Sequence, residues 1–319
     1  MNKKIGVVVP SYMVKGHLLN VVESIPDFVD KIYIIDDKCP EGSGKYIAEN
    51  CHDSRVFVHF HDENLGVGGA VMTGYRCAIS DGMDVVVKID GDGQMDPSLI
   101  PLFIEPILSG EADYTKGNRF YDLEEIRSMP FIRLFGNSIL SLMTKFSSGY
   151  WNLFDPTNGY TAIHIDVARR LPFKKISCRY FFETDMFFRL NIIRAVVVDV
   201  PMNARYGDEV SSLKISRIIG EFMYKHARNS FKRIFYNYYL RDLNIASIEL
   251  PLGLTMFLGG VGYGGYQWYM LSKIGVAATS GTVMMASLPI LIGFQLILAF
   301  LNYDIFSIPT KVIHKTKKN

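Results

Sequence analysis

Cysteine is scarce and scattered. Cys39, Cys51, Cys77 and Cys178 form no CxxC pair, so neither a disulfide framework nor a zinc site is suggested, and a reducing cytosol suits the chain best. An excess of charge of either sign is missing too. Lys and Arg number 34 against 32 Asp and Glu, which argues against a nucleic-acid binder and names no other partner. Internal repeats and low-complexity segments are also lacking. The opening "MNKKIGVVVPSY" has a basic start, but its apolar run is only about five residues long before Pro10, too short for the core of a signal peptide. It reads as a first strand.

Charge is missing altogether from two stretches, 250–272 and 274–303, separated by Lys273. Each exceeds the roughly 20 apolar residues that cross a bilayer. A soluble helix of that length ordinarily carries charge along one face, which disfavours a buried hairpin in a soluble core. Glycines in "LGGVGYGGYQW" suit close packing of membrane helices. Tyr266, Trp268 and Tyr269 sit where an interfacial aromatic belt would be. Lys225, Arg228, Lys232, Arg233 and Arg241 precede the first stretch, and Lys311, Lys315, Lys317 and Lys318 follow the second. The positive-inside rule then puts both termini and the main domain in the cytoplasm, at a bacterial inner membrane or an endoplasmic reticulum. Between domain and spans, 214–243 mixes basic residues with Phe and Tyr at helical spacing, as an interfacial helix on anionic lipid would, or a helix packed on the domain. The expected organisation is a catalytic domain over 1–213, a juxtamembrane region over 214–243, two transmembrane helices within 244–304 (about 250–272 and 275–303), and a basic tail over 305–319.

Earlier in the chain, "KIGVVVP", "KIYIIDD", "RVFVHFH", "DVVVKID" and "AVVVDVP" alternate with helical segments. Near-continuous Val and Ile runs of this kind predict an α/β domain with a mainly parallel sheet covered by helices on both faces. In such sheets ligands bind at the carboxyl ends of the strands, so the residues just after each run carry the functional signal.

The fourth run ends on "DGDGQMDP". Carboxylates spaced as Asp90 and Asp92 repel one another unless a cation lies between them. Mg²⁺ or Mn²⁺, held by one or two carboxylates and a phosphate, is the natural occupant, with Gln94 able to help. An EF-hand is excluded, because Met95 stands where its glycine is needed and Pro101 where its glutamate is. A dinucleotide fingerprint fails at Val71, which replaces the third glycine after Gly66 and Gly68. Those glycines are expected to let backbone approach a ligand at a helix start, with Asn64 as cap. His59 and His61 alternate in a strand and read as edge or core histidines rather than metal ligands. The Met and Phe of "SILSLMTKF" read as core packing, with exposure at a lipid interface as the alternative.

Taken in order, the strand ends "VPSY", "IDDKCPEGSGK", "ENLGVGGAVMTGY" and "DGDGQMDP" resemble those of family 2 glycosyltransferases of the GT-A fold, in the form seen in dolichol-phosphate mannose synthases and related polyprenyl-phosphate glycosyltransferases. The resemblance covers about 3–214. It implies that Pro10, Tyr12 and Asp37 meet the donor nucleoside, and that Asp90, Asp92 and Gln94 meet metal and donor diphosphate. "KGNRF" resembles a stretch whose Arg119 would meet phosphate, and Arg133 stands at the spacing of a second acceptor-phosphate arginine. Arg205 and Lys214 resemble residues that hold donor and acceptor phosphates, work that suits the planar fork of arginine. Two departures stand out: Lys38 and Cys39 replace the usual Gly and Ser after the second strand, and "DPTNGYTAIH" lacks the basic residue expected near Thr161. Glu183 and Asp185, in "FFETDMFFRL", stand where many members carry acidic residues near the acceptor, as base, metal-supporting group or helix-start carboxylate.

The implied reaction is metal-dependent, inverting transfer of a sugar from a UDP- or GDP-linked donor to a polyprenyl phosphate, dolichyl or undecaprenyl, at the cytoplasmic membrane face. A homo-oligomer is compatible with it. Two alternatives stay open: a membrane glycosyltransferase with a saccharide or other lipid acceptor, for which Glu183 or Asp185 would serve as base, and a non-catalytic nucleotide-sugar-binding membrane protein. A processive polysaccharide synthase is disfavoured by the lack of a QxxRW sequence.

Overall fold

The computed structural model describes residues 3–121, 131–203 and 215–315, the side chains of 132, 133 and 215–219 excepted. The apolar runs become strands β1 (Ile5–Ser11), β2 (Lys31–Asp36), β3 (Val56–Phe60) and β4 (Val85–Lys88), joined by β5 (Tyr114–Asn118), β6 (Thr161–His164) and β7 (Val197–Pro201). They form one sheet in the order β3-β2-β1-β4-β6-β5-β7. Every pairing is parallel except those of β6, which runs antiparallel to β4 and β5.

Side-chain alternation distributes the apolar residues to two layers. Val7, Val9, Ile32, Ile34, Val85 and Val87 share a core with Leu18 and Val22 of α1 (Lys15–Glu23) and with Phe103 and Ile107 of α4 (Ile100–Ser109). α2 (Ser43–Asn50) lies between β2 and β3 in sequence, and α3 (Val67–Ser80) packs over β1 and β2, against Val8. The expectation of a mainly parallel, helix-covered sheet holds. β5 and β6 escaped the sequence reading for a physical reason. β6 is only four residues long, and β5 reads "YTKGN", polar residues that become buriable because Lys116 Nζ meets Asp199 Oδ1 of β7 at 2.9 Å.

Beyond the sheet stand α5 (Phe131–Ser148), the short α6 (Ile165–Ala168), α7 (Phe182–Ile192) and α8 (Ile215–Phe235). α5 corrects one expectation. The hydroxyl residues Ser141, Thr144 and Ser147 face inward, while Phe131, Phe135, Ile139, Leu142 and Phe146 form an exposed stripe at helical spacing. Ser147 Oγ is 2.9 Å from Nδ1 of the buried His226 on α8, and Asn229 of α8 donates to Asp185 Oδ1 on α7 at 3.0 Å. α8 therefore packs on the domain, yet it also exposes Met223 and Tyr224.

Contacts divide the chain into two compact units, Met1–Ser230 with Pro309–Asn319, and Phe231–Ile308. In the first, the segment near the C-terminus is fixed by Asp113, whose carboxylate accepts from the backbone N–H of Ile313 and His314 and meets the His314 ring at 2.7 Å. The second is built on α9 (Ile245–Lys273) and α10 (Ser280–Phe306), both long and apolar enough to cross a membrane. Glycine lets their backbones meet: a Cβ on Gly293 would lie 2.5 Å from Phe257 N and 2.7 Å from Gly253 O. At one end of α10, Arg233 and the buried Asp304 form a two-pronged ion pair at 2.6 and 3.0 Å, and Tyr238 donates to the same carboxylate at 2.5 Å.

Candidate functional site

The carboxyl ends of β1, β2 and β4, together with the turn after β3, converge on an open cleft of about 630 Å³. Its walls include Pro10, Ser11 and Tyr12 after β1, Asp37 after β2, Asn64 and Gly66 before α3, and Asp90, Gly91 and Asp92 after β4. Four strand ends singled out separately in the sequence thus meet at one place. Arg179 and Tyr180, just before α7, complete the wall. Sequence reasoning missed both, although a basic and an aromatic residue directly preceding the acidic start of α7 were a signal to be weighed.

Asp37 is nearly inaccessible, and its carboxylate is committed to protein. Oδ1 accepts from Leu65 N at 2.8 Å and meets His61 Nδ1 at 2.8 Å, and Oδ2 accepts from Gly66 N at 2.7 Å. It therefore ties the β2 end to the glycine turn. His61 is satisfied on its other side by Thr73 Oγ1 at 2.9 Å, as expected of a structural histidine. Asp36 works in the same way, accepting from Cys39 N and Gly44 N at 2.8 and 2.7 Å. The glycine turn corrects one expectation. Asn64 does not cap α3; its side chain donates to Asp37 O at 3.2 Å. Gly66, at φ +83°, needs its missing Cβ because the chain's own Cys178 carbonyl would lie 2.5 Å away. That carbonyl accepts from Gly68 N at 2.8 Å, so the close approach is between two backbone segments that frame the cleft.

At the end of β4, Asp90 and Asp92 face the cleft while Lys88 lies beneath. The Lys88 ammonium, on a side chain only 2% exposed, is 2.7 Å from Asp90 Oδ1 and 4.0 Å from Glu183 Oε1. Burial alone would lower the Lys88 pKa, but Asp90 and Glu183, with Asp92 beyond, outweigh it and raise it above the ordinary value. Glu183, at the start of α7, is pushed up to about 6 by burial, against the pull of Lys88. Asp92 is braced by Gln94, whose backbone N–H donates to Oδ1 at 3.0 Å; Gln94 itself is not among the residues lining the cleft. Among the described residues no cluster of three His, Cys, Asp or Glu could cage a metal ion. The donor set is instead two hard carboxylates opening on one cleft. That fits Mg²⁺ or Mn²⁺ completed by a ligand's phosphates rather than an ion held by protein alone.

The remaining candidates separate. Arg119 is not in the cleft wall; its Nε and Nη2 each donate at 2.8 Å to the buried Asp155, from "DPTNGY". Burial pushes Asp155 up, but Arg119, with Lys116 nearby, outweighs it and leaves the carboxyl below its ordinary range. Asp199, raised by burial against Lys116, accepts from Phe154 N and Asn118 Nδ2 at 2.9 and 3.1 Å. This network fixes the "DPTNGY" turn beside the sheet. Asp185 is fully buried, accepting from Ser177 N at 2.8 Å and from Asn229, and so braces α7 and the turn before it. Of the two acidic candidates on α7, only Glu183 approaches the β4 carboxylates. Arg205 and Lys214 lie outside the described residues, as does the side chain of Arg133.

The Glycosyl transferase family 2 model matches residues 6–171. The UDP-N-acetylglucosamine–dolichyl-phosphate N-acetylglucosaminyltransferase of Methanococcus voltae is 31% identical over 164 residues, 47% of this chain and 65% of that protein, just under two thirds of its length. The undecaprenyl-phosphate mannosyltransferase of Micrococcus luteus is 28% identical over 225 residues, covering 67% of this chain and 88% of the relative. Among solved structures, mannosyl-3-phosphoglycerate synthase from Rubrobacter xylanophilus superposes with a TM-score of 0.55 at 16% identity, over 76% of this chain and 77% of its own. Glucosyl-3-phosphoglycerate synthase from Mycobacterium tuberculosis, bound to Mn²⁺, UDP-glucose and phosphoglyceric acid, gives 0.52 at 18% identity, over 72% and 79%. These likenesses show the GT-A fold.

Proposed function

The chain belongs to glycosyl transferase family 2, and from that premise we propose that it transfers a sugar from a nucleotide sugar to a polyprenyl phosphate at the cytoplasmic face of a membrane, with inversion and with Mg²⁺ or Mn²⁺. The observation that carries this reading is the cleft with Asp90 and Asp92 on its wall, in a chain that also has two helices able to span a bilayer. Relatives named for dolichyl-phosphate and undecaprenyl-phosphate transfer support the acceptor class. The exposed stripe of α5 supports a lipid-facing side of the domain, since contiguous apolar surface on a charged protein marks a contact.

The divalent ion would be held by Asp90 and Asp92 and would supply charge stabilisation to the departing nucleoside diphosphate as a Lewis acid. The chain's own groups do the rest. Pro10, Tyr12 and Gly66 shape the donor end of the cleft, and Arg179 offers a cation at its wall. An acceptor phosphate oxygen is already anionic, so it attacks the anomeric carbon without surrendering a proton. The bond from that carbon to the donor phosphate oxygen breaks, and its electron pair leaves with the diphosphate. Catalysis then consists of alignment and charge compensation. The basic flanks support a cytoplasmic position for both termini. The proposed organisation is the catalytic domain at 1–213, juxtamembrane region at 214–243, spans within 244–304 and tail at 305–319.

Glu183, pushed up to about 6, is the one observation that favours a second reading, in which a hydroxyl acceptor needs a base. One assay tests both. Membranes containing the protein are incubated with a panel of nucleotide sugars, Mg²⁺ or Mn²⁺, and either polyprenyl phosphate or lipid and saccharide alcohols. Sugar-linked polyprenyl phosphate formed by the wild type and lost in Asp92→Asn is the expected result. Product only with an alcohol acceptor would replace the reading by the second, and no product despite donor binding would favour a binding protein.

A further inference from the structure

Lys88 has no place in the sequence argument for a carboxylate metal site, and its burial requires an explanation. Its strand neighbours Val85, Val86 and Val87 show what fills this position when only packing is required, and an ammonium shut away from water is costly unless carboxylates surround it. Here they do: Asp90 Oδ1 is 2.7 Å away and Glu183 Oε1 4.0 Å. The opposite strand is adapted to the pair. Thr161, the register partner of Lys88 on β6, is neutral, and it marks the place where the sequence lacks a basic residue. Gly159 lies just before it. A Cβ there would sit 2.7 Å from Asp90 Oδ2 and would run into Lys88 Nζ. The glycine leaves the space that the ion pair occupies. Lys88 approaches Asp90 from below, whereas the cleft opens above, and Asp90 remains 30% exposed.

Resting on the function proposed above, we infer that Lys88 is a positioning residue that makes metal capture depend on the donor diphosphate. It holds Asp90 by one oxygen and offsets one of three carboxylate charges, those of Asp90, Asp92 and Glu183. A divalent cation then meets a cluster of reduced charge and is held weakly by protein alone. Only with two phosphates added does the ligand set become strong. The chain thereby avoids a cleft permanently filled by metal, and donor and ion enter together.

Mn²⁺ binding to the purified full-length protein in detergent, read by electron paramagnetic resonance with and without UDP or GDP, tests this without reference to turnover. The wild type should bind Mn²⁺ weakly alone and at least about tenfold more tightly with its diphosphate. Lys88→Met should tighten binding of Mn²⁺ alone by about tenfold and shrink the diphosphate enhancement, while Glu183→Gln should weaken binding of Mn²⁺ alone. The double variant Lys88→Met with Glu183→Gln restores the wild-type net charge and should return towards wild-type affinity, which also covers the case where Lys88→Met alone fails to fold. Affinity for Mn²⁺ alone that ignores net charge across these variants would overturn the inference while leaving the proposed function standing. A wild type that binds no Mn²⁺ with either diphosphate would overturn both.

Discussion

Each of the two units buries a cation, and the two are treated differently. Arg233 lies beside a carboxylate that is itself buried: Asp304 gives both oxygens to the guanidinium and takes a further hydrogen bond from Tyr238. Lys88 lies beside a carboxylate that is left partly open, because Asp90 offers one oxygen inward and a face to the cleft. A closed pair of the first kind is architecture, since nothing outside can use it. The second kind keeps unspent charge at a surface a ligand can reach. Burial of a cation therefore says little until the state of its partner is known.

Breaking the closed pair should have the largest effect. Arg233→Met strands Asp304 in the interior and is expected to cost about 3–5 kcal/mol, read as a lower unfolding temperature in detergent; adding Asp304→Leu should recover most of it. On the open side, Asp92→Asn should leave that temperature nearly unchanged and lower turnover by at least about 100-fold, measured with the acceptor assay. Equal loss of stability in the two variants would erase the distinction.

A buried polar group with no countercharge among the described residues sharpens the comparison further. His226 is 3% exposed, packed against the rings of Phe181 and Phe222, and burial holds its pKa down to about 4. The unfolded chain takes up that proton near pH 6.5, whereas the folded one stays neutral until about pH 4. Stability should accordingly fall as pH drops through this window, by up to about 3 kcal/mol. A denaturation series over those pH values checks the slope, which His226→Gln should flatten. Smaller again is the steric term within the second unit: Gly293→Val pushes a side chain against Phe257 N and should cost about 1–3 kcal/mol, seen in the same thermal assay. Smallest is Glu183→Gln. With a phosphate acceptor it should change turnover by less than about tenfold, and a loss of about 100-fold or more would mark Glu183 as a base.

The legible parts of this protein were those in which one residue type announces one physical need. Val and Ile runs gave β1 to β4 and β7, and uncharged stretches gave the two long apolar helices. Asp90 and Asp92 could be placed together because they follow a buried strand in a chain whose other strand ends, taken in order, resemble the same family. β5 was hidden because Lys116 reads as a surface residue until Asp199, 83 positions later, is seen beside it. The inward hydroxyls and outward phenyl rings of α5 were hidden because periodicity shows that a helix has two faces without showing which one meets the core.

Roles diverged among residues that look alike in the sequence. Asp36, Asp37, Asp155 and Asp185 carry the same side chain as Asp90, yet each spends its carboxylate on protein donors. By itself, the sequence determined the fold class, the four strand ends that meet, and the two apolar helices, because these follow from local pattern and hydrophobicity. Only the tertiary structure decided which carboxylates are closed, which stay open, and that Lys88 lies beneath Asp90 opposite Gly159. Those facts depend on contacts between segments far apart in the chain, and no local pattern encodes them.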